Sequence, residues 1–151
     1  MPYQRIRRMM ALDLPRLLPY LEQRLGDADA AASALNETSI RTWRLQEKRA
    51  SDQDQDQGQD RVWLLVVTAQ VTAEHQLRSR GARVSSGDSH QRVRLLAHAH
   101  RELVALLHWE GMPLLEAAET LGLDPSVPVS RYAAARDRLR EALMSVGGLE
   151  G

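Results

Sequence analysis

Five leucines between positions 14 and 25 follow the i, i+3, i+4, i+7, i+11 spacing of one helix face. Asp13 immediately precedes them and is a suitable N-cap, and Gly26 follows them as a suitable stop signal. The pattern therefore predicts an amphipathic helix over 14–25, with an apolar face formed by Leu14, Leu17, Leu18, Leu21 and Leu25.

Helical spacing of apolar residues continues along the rest of the chain. Aromatic residues make up only 4% of the sequence and phenylalanine is absent, so the core must consist mainly of Leu, Val and Ala, which favours packed helices over a sheet. We therefore expect an all-α protein. Its further helices are predicted at about 28–44, 61–80, 92–109 (ended by Glu110 and Gly111), 113–121 and 127–144.

Two polar segments divide this pattern. Residues 51–60, SDQDQDQGQD, are acidic and contain no apolar side chain to bury, which predicts a mobile loop over about 49–60. Residues 80–91, RGARVSSGDSHQ, contain two glycines and three serines, a composition typical of a linker. The chain is thus predicted to form two small helical domains, 1–80 and 92–146, joined by a linker at 81–91.

Charge and composition limit the compartments and the binding partners that can be expected for the protein. The 20 Lys and Arg balance the 20 Asp and Glu, but Lys48 is the only lysine, and arginine is the better residue for binding phosphate in a fork. The absence of cysteine excludes disulfides and thiolate zinc sites and fits a reducing cytoplasm. Without an apolar run of roughly 18 residues, membrane insertion is not expected.

No pattern in the chain predicts catalysis. We find no Gly-rich phosphate loop, nucleophile elbow or paired acids in the sequence. His98 and His100 are two positions apart, so they do not share a helix face, and no acidic cluster accompanies them. We therefore expect neither an enzyme nor a bound metal or cofactor.

The strongest local pattern is a helix-turn-helix over residues 112–143. Pro113 suits a first helical turn, and Ala117 and Ala118 give the first helix a small face that permits close crossing. Gly122 suits the turn, and Ser126 is a natural N-cap for the second helix. The side chains predicted to point outward from that helix are Ser130, Arg131, Arg136, Arg138 and Arg140, although an ordinary helical hairpin with a solvated arginine face has the same pattern.

Residues 101–143 resemble the fourth region of the extracytoplasmic-function sigma factors, a group within the bacterial sigma-70 family. In that family this region recognises the −35 promoter element. The residues that match its pattern are Arg101, Glu102, Glu110, Gly111, Ala118, Leu121, Gly122, Ser130, Arg131, Ala135 and Arg136. The resemblance implies DNA contacts by Ser126, Ser130, Arg131 and Arg136.

The N-terminal half resembles the second region of the same family, which binds core RNA polymerase and the −10 element. NETSIRTW at 36–43 is similar to the family's QETFLRAW, and residues 61–80 are similar to RAWLYTIARNLAIDHLRRR. The resemblance implies polymerase contacts by Glu37, Thr38 and Arg41, and DNA contacts by Gln70, Arg78 and Arg80.

The chain also departs from the family at positions that contact DNA. The Arg-Asn pair of the second region is Ala69–Gln70, and the recognition helix has Val129, Ala133 and Ala134 where the family has Lys, His and Arg. Fewer cations predict weaker and less salt-dependent DNA binding. Two functions therefore remain open: a sigma factor that takes core polymerase to promoter DNA, and a sigma-like protein that acts through protein partners, either polymerase or an anti-sigma factor.

Overall fold

The computed structural model describes residues 2–49, 57–79, 89–121 and 131–147. These residues form six α-helices, so the all-α prediction is confirmed for the described part of the chain. Within those ranges, no helix is long and apolar enough to cross a membrane. The helices are α1 (Pro2–Leu25), α2 (Ala28–Arg49), α3 (Gln57–Ser79), α4 (Ser89–Trp109), α5 (Leu114–Thr120) and α6 (Arg131–Gly147).

The first helix is longer than its leucine pattern predicts. It begins at Pro2, so Asp13 lies inside the helix and is not its N-cap, which corrects the predicted start. The extension is stabilised because Met10 is buried and continues the face of Leu14 and Leu17 by one turn. Within the helix, Asp13 lies 3.8 Å from the guanidinium of Arg16.

Helices α3 and α4 begin inside two polar segments that were predicted to be irregular. Helix α3 starts at Gln57, within the predicted acidic loop, and Asp60 in its first turn is fully buried. Carboxylates are favourable in a first turn because the N-terminal end of a helix carries partial positive charge. Helix α4 starts at Ser89, within the predicted linker. The remaining parts of both segments, 50–56 and 80–88, lie outside the described residues.

Glycines end two helices, as their positions predict. Gly26 follows α1 with φ of +72°, and Gly111 follows α4 with φ of +69°. This left-handed conformation is accessible to glycine without strain and lets the chain reverse. After α4, the amide of Met112 donates to the carbonyl of Leu107 over 2.8 Å, which closes the turn.

Helix α3 is the central helix of the fold. From Val62 to Glu74 all its side chains are buried except that of Trp63, and they pack against α1, α2, α4, α5 and α6. Buried side chains from all six helices belong to one hydrophobic cluster, which extends from Leu17 to Val146. The division into two domains stays a prediction, and the two sets of helices share this core.

Two buried acidic side chains join α4 and its turn to the N-terminal helices. Glu102 on α4 accepts hydrogen bonds from the Tyr20 hydroxyl, over 2.8 Å, and from the guanidinium of Arg24. Glu110 lies 3.2 Å from Arg16 and 2.8 Å from Arg61. These contacts fix the end of α4 from which the C-terminal helix pair continues.

Candidate functional site

Helices α5 and α6 pack closely through small side chains. Ala117 and Ala118 of α5 are completely buried, and so is Ala135 of α6. One guanidinium nitrogen of Arg138 donates to the carbonyl of Leu121 over 2.7 Å. Helix C-termini leave such carbonyls without partners, so Arg138 satisfies the end of α5 while it ties α6 to it.

The start of α5 differs by one residue from its prediction. Pro113 is the N-cap, with φ of −61° and ψ of 144°, and the helix begins at Leu114. Proline therefore precedes the first helical turn rather than occupying it. The predicted turn residues, Gly122 and Ser126, lie outside the described residues.

Exposed arginines lie along α6. Arg136 and Arg140 are exposed and four residues apart, so they share one helix face. Arg138 is half-buried against Leu121 and is not a free outward cation, which corrects its predicted orientation. Ser130 lies outside the described residues together with Ser126, and so does the side chain of Arg131.

A buried histidine lies next to this arginine face. His100 on α4 is 8% exposed, and its Nδ1 has no hydrogen-bond partner in the described structure. Burial lowers the pKa of His100, and the positive charges of Arg140 and Arg136 lower it further, while Asp137 acts in the opposite direction. The ring is therefore held neutral beside the arginine face.

The predicted polymerase-contact residues lie in a network between α2 and α3. Arg41 binds Glu37 over 2.6 Å and also pairs with the buried carboxylate of Glu74. Nε2 of His75 lies 3.0 Å from the second carboxylate oxygen of Glu37. Burial acts to raise the pKa of Glu37, but the hydrogen bonds and charges of His75 and Arg41 outweigh it, so the pKa is lowered and the carboxylate stays ionised.

This network changes what the three predicted residues can do. Thr38 is completely buried and Arg41 is 7% exposed, so in this conformation neither presents a side chain to a partner. Glu37 keeps 31% of its side chain exposed and is the accessible member of the set. Sequence reasoning missed Glu74 and the pairing of His75 with Glu37, because both residues approach from α3, more than 30 positions along the chain.

The predicted DNA-contact residues of α3 divide into buried and exposed positions. Gln70 is 6% exposed and Ala69 is fully buried, because both lie in the central part of the helix. Arg78 is exposed near the C-terminal end of α3, and Arg80 lies outside the described residues. Arg78 is therefore the accessible residue among the predicted DNA contacts of α3 that the structure describes.

Within the same ranges, no group of three or more His, Asp or Glu side chains is placed to hold a metal ion. Comparison of the chain with protein-family models, with curated proteins and with solved structures found no match.

Proposed function

We propose that the protein is a sigma factor of the extracytoplasmic-function type, which binds core RNA polymerase in the cytoplasm and directs it to promoter DNA. The single observation that supports this best is the α5–α6 pair, in which buried alanines bring the helices together while Arg136 and Arg140 remain exposed. A helix held in this way can enter the major groove.

The dimensions of α6 suit that role. Its 17 residues give a length of about 25 Å at roughly 1.5 Å per residue, which is enough to cross a major groove roughly 12 Å wide. The arginine face is typical of phosphate contacts, which fix the position of a helix on DNA without reading its sequence. Base reading would then come from the start of the helix, where the family resemblance gives Ser130 and Arg131.

The contact with polymerase is proposed for the exposed edge of α2. Glu37 is accessible there, whereas Arg41 acts indirectly by holding the Glu37 carboxylate in place at 2.6 Å. Glu37→Gln removes the exposed charge with little change of volume, while Glu47→Gln changes a second exposed glutamate of α2 and serves as a control. If Glu37→Gln weakens polymerase binding and Glu47→Gln does not, the proposed contact at this edge of α2 is supported.

DNA binding is tested by fluorescence anisotropy with duplexes over a salt series. Arg136→Ala and Arg140→Ala should each weaken binding to all sequences, and each should reduce the slope of log affinity against log salt by about 0.9. Arg94→Ala, which removes an exposed arginine on α4, is the matched control. If the α6 variants bind DNA as the wild type does, α6 does not contact DNA phosphates.

A second candidate function is a sigma-like protein that acts through protein partners, either polymerase or an anti-sigma factor. It is favoured by the burial of Ala69 and Gln70, the two positions where the family has its Arg-Asn pair for the −10 element. A protein that binds polymerase but fails to bind any duplex at low salt would support this candidate against the first.

A further inference from the structure

A cleft of about 440 Å³ lies where the C-terminal ends of α1 and α3 meet the start of α2. Clefts of about 300–1,000 Å³ are of the size that commonly holds small ligands. It lies away from the arginine face of α6, and none of its lining residues belongs to α5 or α6. The lining residues are Arg24, Leu25, Ala30, His75, Gln76, Arg78 and Ser79.

The charged part of this lining consists of Arg24 and Arg78, and no aspartate or glutamate among the described residues lines the cleft. Arg24 directs Nε and Nη2 to Glu102, which leaves Nη1 for another acceptor. Arg78 is exposed and forms no ion pair with any residue in the described ranges, so its whole guanidinium fork is available.

The third group, His75, is oriented by a carboxylate outside the cleft. The ionised carboxylate of Glu37 can only accept, so Nε2 of His75 carries the proton between them. Nδ1 is then the ring nitrogen left for a further contact.

From this arrangement we propose that the cleft binds a phosphate group. The guanidinium fork of Arg78 matches the geometry of phosphate oxygens and can donate two parallel hydrogen bonds, and Arg24 lines the same cleft. The phosphate belongs to a small phosphorylated molecule, which is a ligand distinct from the DNA that the family resemblance implies for Arg78. This proposal does not depend on the promoter-binding role proposed for α6.

Isothermal titration calorimetry of the full chain tests this with two probes, inorganic pyrophosphate and a 20-base-pair duplex of arbitrary sequence. Arg78→Ala should weaken binding of the effective probe by about tenfold or more, since one charge-assisted fork is lost. Arg94→Ala, an exposed arginine outside the cleft lining, should change it by less than about twofold. Arg78→Gln, with circular dichroism of each variant, separates loss of binding from loss of fold.

Each outcome bears on the proposal. Pyrophosphate binding that depends on Arg78 and not on Arg94 supports a small phosphorylated ligand. The same selectivity seen with the duplex alone overturns the proposal and supports the DNA contact that the family resemblance implies for Arg78. Absence of binding by both probes at low salt overturns the proposal, as does equal weakening by the two arginine variants. Arg136→Ala should leave pyrophosphate binding unchanged, so failure of this site is distinguishable from failure of DNA binding by α6.

Discussion

Replacement of Glu102 by glutamine should destabilise the fold by about 2–3 kcal/mol. The Tyr20 hydroxyl donates to the buried carboxylate over 2.8 Å, and hydrogen bonds to charged groups contribute about 1.5–3 kcal/mol. The pair with Arg24 adds only about 0–1 kcal/mol, because 41% of the Arg24 side chain is exposed and water screens it. The two contributions sum to about 1.5–4 kcal/mol, and the glutamine oxygen still accepts one bond, so the upper end of that range is not reached.

Acid should reduce this difference. Burial acts to raise the pKa of Glu102, but hydrogen bonds from Arg24 and Tyr20 outweigh it, so the folded pKa is lowered from its ordinary 4.5. The carboxylate therefore stabilises the fold above pH 4.5, and that contribution is lost as the pH falls through the lowered value. The glutamine variant does not titrate, so the gap between the two proteins should narrow below that pH.

The measurement is urea unfolding followed by circular dichroism at pH 7 and again in steps below pH 4.5, with a thermal scan at pH 7. About 2–3 kcal/mol corresponds to a loss of roughly 4–12 °C in Tm for a protein of this size. Glu119→Gln, an exposed glutamate on α5, is the matched control and should change stability by less than about 0.5 kcal/mol. If the Glu102 variant is as stable as this control, or if the gap does not depend on pH, the Glu102 carboxylate does not stabilise the fold.

Three further predictions follow from single residues. Thr42→Val should stabilise the fold by about 1 kcal/mol in urea unfolding, because the buried Thr42 hydroxyl has no hydrogen-bond partner in the described structure; a loss of stability would mean that the hydroxyl is satisfied. Gly111→Ala should destabilise by about 1–2 kcal/mol, since φ is +69°, and a neutral result would contradict that backbone conformation. Wild-type stability should fall as the pH drops below 6.5, because the pKa of His100 is lowered by burial, Arg140 and Arg136. In His100→Gln this loss of stability should be smaller. If both proteins show the same pH profile, His100 is not the cause of the loss.

The fold class and the two helix ends marked by glycine could be predicted because they depend on local signals. Gly26 and Gly111 both adopt the left-handed conformation that their positions after apolar periodic segments predict. The starts of α3 and α4 could not be predicted, because their first turns are polar and carry no apolar period. The burial of Asp60 could not be predicted for the same reason, because this residue is the last of an acidic low-complexity segment.

The candidate site was harder to predict than the fold. Glu37 and Arg41 are four residues apart, a spacing that in sequence indicates an exposed helix pair. The burial of Arg41 depends on Glu74, and the orientation of the Glu37 carboxylate depends on His75; tertiary packing brings both partners in from α3. Likewise, the outward orientation predicted for Arg138 failed because the free carbonyl of Leu121 binds it, and no local pattern shows that contact.

The most direct test of the proposed function is binding to core RNA polymerase, measured by size-exclusion chromatography of the purified proteins at micromolar concentration. We predict that the wild type elutes with polymerase as a one-to-one complex, that Glu37→Gln weakens this association, and that Glu47→Gln does not. If the wild type elutes alone, with or without promoter-containing DNA, the proposal that this chain is a sigma factor is contradicted.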